Sequence, residues 1–249
     1  MLARALVLLL ALALPAKAEE VVAGLSQDSI QITTNFDGSE ILIFGAVRRD
    51  APEPEGDLGV IVTIEGPQRP LTVRRKEKRF GIWVNTEAVE VDHAPTFYAV
   101  ATSGEWEDII RDTEDLRHQI SIPRSIRAVG TGVADTEQFI DAVIRIRKRD
   151  ELYQRNIGSV EVAENTLFST SVRLPANLTE GDYTARFVLT RDRDVVHQAT
   201  RTIPVQKVGL ERFLYNLAHE QPLVYGLMSL AIAIAAGWLA SAAFRFIRP

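Results

Sequence analysis

The segment EILIFGAV, Glu40–Val47, decides the class of fold to which this chain belongs. Its β-branched and aromatic residues, bounded by Asp-Gly before and by charged residues after, are typical of a β-strand. Several similar runs surround it at short intervals, and short strands at such spacing favour an antiparallel sandwich. The other runs are Ile30–Thr34, Val60–Ile64, Gly81–Asn85 and Thr96–Ala101.

Helical and strand patterns alternate in the second half of the chain. Glu105–Leu116 is compatible with a helix, and Asp135–Tyr153 predicts a long one, capped by Asp135 or Thr136, with a regular apolar face. Three more strands are predicted after it. The apolar face consists of Phe139, Ile140, Val143, Ile144 and Ile146, and the strands are Thr170–Pro175, Glu180–Leu189 and Thr200–Val205.

The strand end Leu174–Pro175, followed by Gly181–Tyr183, resembles in outline the tyrosine corner of immunoglobulin-like sandwiches. We therefore predict a mainly β fold with immunoglobulin-like antiparallel β-sandwich regions at residues 19–104 and 158–207. One long helix is inserted between them, within a helical connection at 105–157. Whether there are one or two sandwiches stays open, because the second strand set is too small unless it borrows strands from the first.

The C-terminal run Leu223–Phe244 contains no charged residue and is long enough to cross a bilayer, which predicts a transmembrane helix. Tyr225 and Trp238 lie toward its two ends, where aromatic rings suit the membrane interfaces. Basic residues follow in the tail 245–249, which is therefore expected in the cytoplasm. Before the span, residues 208–222 predict a helix on the membrane surface, with an apolar stripe at Leu210, Phe213, Leu214 and Leu217.

Residues 1–18 predict a secretory signal peptide cleaved after Ala18. A basic start at Arg4, a short apolar run and an Ala-x-Ala ending characterise such signals. An uncleaved anchor fits less well, because at about 1.5 Å per residue the run covers only about half of a roughly 30 Å hydrocarbon core. Export places the bulk of the chain in the periplasm and makes this a single-pass protein of the bacterial inner membrane.

Small residues in the span would let another helix approach closely. The alternative is that they reflect only the common use of alanine in membrane spans. The candidate contact with a membrane partner is formed by His219, Glu220, Gln221, Pro222, Gly226 and Gly237.

Composition excludes several classes of function. Residues Glu19–Lys207 carry a net charge of −8, because five of the 28 basic residues but only two of the 33 acidic ones lie outside this range. Such a surface repels nucleic acid, so no nucleic-acid partner is expected. The chain has no cysteine, which excludes disulfides, thiolate metal ligands and cysteine nucleophiles.

No catalytic, cofactor or metal motif is recognisable. The sequence lacks a Gly-x-Ser-x-Gly turn, Gly130–Gly132 is more simply a flexible turn, and Asp92–His93 is more simply a solvated pair. We expect no catalytic residues, no metal and no cofactor, and hence a protein that is not an enzyme. The four histidines are His93, His118, His197 and His219, without metal-ligand spacing.

Two basic clusters stand out against the acidic background. Arg74–Arg79 contains the candidate anion or partner contacts Arg74, Arg75 and Lys78, and Arg145–Arg149 decorates the long helix. Either cluster could bind an oxyanion, anionic lipid or an acidic partner surface. The alternative is a solvated hairpin tip and the outer face of a helix.

Four segments together resemble the alphaproteobacterial transmembrane protein family. They are Asn35–Val47, Gly81–Thr86, Ala94–Val100 and Ala218–Gly226. The resemblance implies a signal peptide, a periplasmic region and a terminal span, and it brings no established activity or catalytic residues. It also suggests an accessory role beside exporters of the sulfite and organosulfonate type.

Three hypotheses follow, of which the third is an enzyme whose active-site residues are dispersed along the sequence. The first is a membrane-anchored periplasmic accessory or interaction module that partners a polytopic inner-membrane protein, such as an anion or sulfite-type exporter. The second is a periplasmic oxyanion or solute sensor that uses Arg74, Arg75 and Lys78.

Overall fold

The structure is a computed structural model that describes residues 19–33, 36–128, 136–209, 214 and 217–247, with side chains up to residue 242. The predicted signal peptide lies outside the described residues, as do Gly130–Gly132, Asp135 and, in the predicted interfacial helix, Leu210 and Phe213. Two compact units are present. One takes the described residues of Met1–Ile30 and Asp37–Val205, and the other those of Gln31–Phe36 and Gln206–Pro249.

Among the described residues, 47% lie in strands and 26% in helices, which confirms the predicted mainly β fold. The helices are α1 (Trp106–Ile109), α2 (Asp112–His118), α3 (Ile122–Ser125), α4 (Thr136–Arg149) and α5 (Pro222–Ile247). The strands are β1 (Glu20–Leu25), β2 (Ile30–Ile32), β3 (Ser39–Arg48), β4 (Leu58–Glu65), β5 (Gln68–Arg79), β6 (Ile82–Pro95), β7 (Tyr98–Thr102), β8 (Tyr153–Asn156), β9 (Glu161–Ala163), β10 (Leu167–Leu174), β11 (Gly181–Arg191) and β12 (Asp194–Lys207).

A four-stranded antiparallel sheet has the order β1-β3-β10-β9. Its central strand β3 alternates as its sequence predicts, with Ile41 and Ile43 fully buried and Leu42 and Phe44 about half exposed. One face of this sheet therefore belongs to the core, and the other faces outward.

A six-stranded sheet has the order β2-β12-β11-β4-β7-β8. Strand β4 is buried over Gly59–Ile64, and β7 over its whole length, because elements pack on both faces of this sheet. Its pairings β11–β12, β11–β4 and β4–β7 are antiparallel, whereas β7 and β8 run parallel. The helices α1–α4 lie in the crossover between those two strands.

The two sheets contact each other through their buried faces. The rings of Phe168 on β10 and Phe187 on β11 lie 6.2 Å apart between centroids. Phe168 also covers Gly45 of β3, where an added Cβ would be only 2.8 Å from its Cε1 atom. Strands from both predicted β subregions take part in each of these sheets, since β3 pairs with β10 and β4 pairs with β11.

The helices cover the other face of the six-stranded sheet. Buried Tyr98 donates its hydroxyl hydrogen to the carbonyl oxygen of Ile120 at 2.6 Å, and Arg186 donates to the carbonyl oxygen of His118 at 2.7 Å. Burial raises the pKa of Tyr98 to about 12, so its phenol stays protonated as a donor. These contacts hold the turn after α2 against β7 and β11.

Two helix predictions need correction. Glu105–Leu116 is broken at Ile110, which is extended and buried in the core, so α1 and α2 are separate short helices. The long helix ends at Arg149 rather than Tyr153, because Glu151 adopts a left-handed φ of 59° and Tyr153 begins β8. On its predicted apolar face, Ile146 is 45% exposed, whereas Phe139, Val143 and Ile144 are buried.

The hydroxyl of Tyr183 forms a hydrogen bond with the loop that precedes β11. The Tyr183 side chain is fully buried, and its hydroxyl donates to the carbonyl oxygen of Thr179 at 2.9 Å. The immunoglobulin-like character of the sandwich stays a prediction.

In the second unit, the backbone N–H of Val208 donates to the carbonyl oxygen of Ile32 at 2.8 Å. Its main element is α5, which begins at Pro222, a favourable first helical residue since proline has no N–H to leave unpaired. The stretch Pro222–Ala242 has a mean hydropathy of 2.0 and is long enough to cross a membrane.

Candidate interaction surfaces

The predicted basic site lies on the hairpin formed by β5 and β6. Arg74, Arg75 and Lys78 are all on β5. Successive side chains of a strand point to opposite faces, so Arg75 faces away from Arg74 and Lys78. The hairpin therefore does not bring the three predicted residues together in one anion site.

Arg75 attaches the hairpin to the long helix. Its Nη1 atom lies 2.9 Å from a carboxylate oxygen of Glu87 on β6, and its Nη2 atom donates to the side-chain oxygen of Gln138 on α4 at 3.0 Å. The guanidinium also lies 4.7 Å from the ring centroid of Phe139, a cation–π distance. These contacts give Arg75 a structural role.

The opposite face of the hairpin is cationic. Arg74, Lys76 and Lys78 are exposed and alternate along β5, and we call them the basic face. Among the described residues, no ion pair is recorded for any of the three. Lys78 lies directly across from Trp83 in the β5–β6 register, so an aromatic ring continues this face toward the turn.

The turn of the hairpin carries large apolar side chains in solvent. Phe80 and Gly81 form a two-residue loop, both with left-handed φ values, 50° and 85°, as in a type I′ turn. Phe80 is fully exposed, and Ile82 and Trp83 are 65% and 68% exposed. We call Phe80, Ile82 and Trp83 the hairpin tip.

Sequence reasoning missed the tip because it assigned Gly81–Asn85 only as a strand. The available signal was the placement of Phe80 and Trp83 around a turn glycine immediately after a basic run. A strand with one buried face would not begin with two consecutive exposed apolar residues, as β6 does with Ile82 and Trp83.

The second basic cluster is dispersed. Arg145 lies with Arg75 along a groove between β5 and α4. Arg147 instead reaches the carbonyl oxygen of Thr96 at 3.5 Å, and Arg149 pairs with a neighbouring carboxylate at 3.4 Å. Only Arg145 of these therefore adds to the positive charge near the hairpin.

A second surface is the outward face of the four-stranded sheet, formed by Val22, Leu42, Phe44 and Leu167. Each of these side chains is about half exposed. Phe44 lies against Gly24, where an added Cβ would come within 2.8 Å of the ring. Because Gly24 has no side chain, the Phe44 ring can lie directly against this position of β1.

A buried ion cluster joins Glu19, directly before β1, to the sandwich. Arg191 donates two hydrogen bonds to the carboxylate of Glu19, at 3.0 and 2.7 Å, and Arg49 donates one at 2.6 Å. Burial raises the pKa of the Glu19 carboxyl, but the hydrogen bonds and charges of the two arginines outweigh it, so its pKa lies below the ordinary value.

The described histidines lie in separate contacts. His197 accepts a hydrogen bond from the backbone of Val21 at 3.1 Å, His118 lies 3.5 Å from Glu114, and His93 forms a backbone bridge with Arg127. In the part of the chain that the structure describes, no group of three or more histidine or acidic side chains could hold a metal ion.

The predicted membrane-partner residues lie in and just before α5. His219, Glu220 and Gln221 precede the helix and are exposed, and Gly226 and Gly237 have open space where a Cβ would be. Small residues recur along α5 at alternating intervals of three and four residues, which places them on one side of the helix. This small-residue stripe is Gly226, Ser229, Ala233, Ala236 and Ala240.

Residues 20–246 match the family described as "Putative transmembrane protein (Alph_Pro_TM)". The chain belongs to this family. The match covers almost all of the chain, including the hairpin, both sheets and α5, and it confirms the family resemblance of the four sequence segments. Within the described residues one helix, α5, is long and apolar enough to span a membrane, which agrees with a transmembrane protein family.

No curated protein matches the sequence at a significant level. Among solved structures, the crystal structure of Spo0M, a sporulation control protein from Bacillus subtilis, is 10% identical, with a TM-score of 0.29. The match covers 77% of this chain but only half of the Spo0M chain. At this level of similarity it says nothing about the function of this family member.

Proposed function

We propose that the protein is a non-enzymatic accessory module of the bacterial inner membrane. Its β unit is periplasmic, its C-terminus is cytoplasmic, and α5 binds a polytopic inner-membrane protein, such as an anion or sulfite-type exporter. The observation that carries this proposal is the small-residue stripe along α5.

The stripe supports a helix partner because membrane helices associate through close packing rather than through the hydrophobic effect. A repeat of three and four residues keeps one side of a helix against a partner that winds around it. The other sides of α5 carry large residues, among them Leu227, Ile234 and Leu239, that suit lipid. The side that carries the stripe therefore has smaller side chains than the sides that carry these large residues.

The outward sheet face supports a contact outside the membrane as well. Its apolar side chains Leu42, Phe44 and Leu167 are exposed in adjacent strands of one sheet. Contiguous exposed apolar surface on a β-sheet is a common feature of protein contact sites. The proposed partner would therefore meet the protein through both its membrane span and this face.

The test compares two alanine-to-leucine substitutions in the same helix. Ala233→Leu adds bulk in the middle of the stripe, and Ala235→Leu adds the same bulk about 200° further around the helix. Tagged full-length protein is crosslinked in native membranes, solubilised in mild detergent and purified, and the recovered membrane proteins are identified.

We expect the wild type and Ala235→Leu to recover one polytopic protein in equal amounts, and Ala233→Leu to recover at least tenfold less. Recovery of no membrane protein by the wild type, or equal recovery by both variants, would contradict the proposal.

The oxyanion sensor has weaker support, because Arg75 is occupied by Glu87 and Gln138 and faces away from Arg74 and Lys78. It makes a separate prediction: titration of the full-length protein with sulfite, sulfate or phosphate should release heat. Absence of heat at millimolar ligand, alongside a recovered partner, would favour the accessory module alone.

A further inference from the structure

The hairpin tip has no packing role in the part of the chain that the structure describes. Phe80 is fully exposed, and Ile82 and Trp83 are more exposed than buried. Phe80 also adopts a left-handed φ, a conformation that bulky aromatic residues rarely adopt. An exposed and conformationally unfavourable aromatic residue at a turn is better explained by a contact outside the β unit.

The charges of the hairpin indicate what kind of surface it binds. The chain has a formal net charge of −5, yet Arg74, Lys76 and Lys78 form an exposed basic face that leads to the tip. Trp83 lies across from Lys78 on this face. A surface that binds the hairpin must therefore have two layers. Its outer layer must be negatively charged, to meet the basic face, and the layer beneath it must be apolar, to receive the hairpin tip.

We propose that the hairpin tip inserts into the interfacial layer of an anionic lipid bilayer. Trp83, Phe80 and Ile82 enter the boundary between headgroups and acyl chains, where aromatic rings are favoured. Lys76, Lys78 and Arg74 remain at the level of the lipid phosphates, as cations on long stems do.

The affinity of the tip alone needs only to be weak. The same chain carries a helix long and apolar enough to span a membrane, so every copy presents its hairpin at a high effective concentration of lipid. Each basic residue near an anionic surface contributes about a fivefold gain in partition. The contact is independent of any helix that binds the small-residue stripe.

The experiment uses the full-length protein in lipid nanodiscs with Trp83 as the reporter. Trp106→Phe and Trp238→Phe remove the other two tryptophans. Nanodiscs contain either phosphatidylcholine alone or equal parts of phosphatidylcholine and phosphatidylglycerol. Emission wavelength, quenching by acrylamide and quenching by brominated lipid are then measured for the remaining tryptophan.

In phosphatidylglycerol nanodiscs we expect Trp83 emission at shorter wavelength, protection from acrylamide and quenching by brominated lipid. The double variant Lys76→Gln, Lys78→Gln should reduce the ratio of inserted to free tip by roughly 25-fold. The control variant Arg173→Gln, Arg201→Gln removes the same charge from exposed positions on β10 and β12. It should leave the ratio of inserted to free tip unchanged.

Three results would overturn the proposal. One is Trp83 that stays accessible to acrylamide in anionic nanodiscs. Another is equal insertion in neutral nanodiscs, which would indicate contact without lipid charge. The third is a shift of emission without quenching by brominated lipid, which would indicate that the tip binds protein instead. Circular dichroism of each variant shows whether the fold is retained.

Discussion

At the scale of single residues, Glu19 is expected to contribute more to the stability of the β unit than other carboxylates do. Its carboxylate accepts hydrogen bonds from two arginines that are buried or half-buried. Arg191 is only 7% exposed, and without Glu19 its charge would remain in the interior with a single more distant carboxylate, that of Glu53 at 3.6 Å. Removing one partner of a buried ion pair lowers the stability of a protein far more than removing one partner of an exposed pair.

We predict that Glu19→Gln lowers the free energy of unfolding of the β unit by about 3–5 kcal/mol near neutral pH. Urea denaturation in detergent, followed by tryptophan fluorescence, measures this value. Glu161→Gln, a substitution at an exposed carboxylate of β9, should change it by less than about 0.5 kcal/mol. Equal effects of the two substitutions would contradict the assigned role of Glu19.

The same carboxylate predicts a pH dependence. Because the pKa of Glu19 is lower in the folded protein than its ordinary value of 4.5, its stabilising contribution is complete above that value and is lost as the pH falls through the folded pKa. The difference in stability between wild type and Glu19→Gln should therefore shrink in acid. A difference that grows as the pH falls would contradict this sign.

Gly59 lies at a position of β4 where an added methyl group cannot be accommodated. A Cβ on this residue of β4 would overlap the side chains of Ile109 and Thr190. We predict that Gly59→Ala destabilises the β unit by about 1–3 kcal/mol, because well-packed interiors cannot absorb extra volume. Gly104→Ala, at a position with open space, serves as the control in the same thermal unfolding experiment.

At the scale of elements, the hairpin β5–β6 depends on Arg75 for its attachment to α4. We predict that Arg75→Gln removes about 1–2 kcal/mol by eliminating the ion pair with Glu87 and the contact with Phe139. Hydrogen exchange should then become faster in β5, β6 and the first turns of α4 while the two large sheets stay protected.

Arg74→Gln is the matched control, because it removes the same charge from the neighbouring position on the other face of β5. It should leave hydrogen exchange in the hairpin unchanged. Equally fast exchange in both variants would mean that charge alone, and not the contacts of Arg75, holds the hairpin to the helix.

At the scale of the whole molecule, the predicted orientation can be tested because the sequence contains no cysteine. A single cysteine replaces either exposed Glu107 in the β unit or Arg248 in the tail. In intact cells with a permeable outer membrane, a membrane-impermeant maleimide should label only Glu107→Cys, and disruption of the inner membrane should expose Arg248→Cys. Labelling of Arg248→Cys in intact cells would reverse the topology.

The predictability of the fold also differs with scale. The strand at Glu40–Val47 and the apolar run at Leu223–Phe244 correspond closely to β3 and α5, because alternation and continuous hydrophobicity are local properties. Strand β5 was not predicted, because its sequence is highly charged and lacks the apolar alternation of a half-buried strand. It is held to β6 by backbone hydrogen bonds, which a sequence pattern does not reveal. The pairing of β3 with β10 depends on residues more than a hundred positions apart, which no local pattern encodes.

The candidate surfaces likewise have features that a local sequence pattern predicts and features that depend on the three-dimensional structure. The basic run Arg74–Arg79 was visible in the sequence, but the separation of Arg75 from its neighbours required the strand assignment and the position of α4. The tip residues Phe80 and Trp83 looked like ordinary strand residues until their exposure was known. The small-residue stripe was visible as composition, and its spacing became meaningful once α5 was a continuous helix.

The interleaving of early and late strands constrains when this protein can fold. Strand β4 lies between β7 and β11, and β11 begins only at Gly181, so the six-stranded sheet cannot close until most of the chain is available. Such distant pairing makes folding slow. In the proposed export of this chain, the polypeptide would therefore stay unfolded during most of its passage through the secretion channel, which is the form a narrow channel can accept.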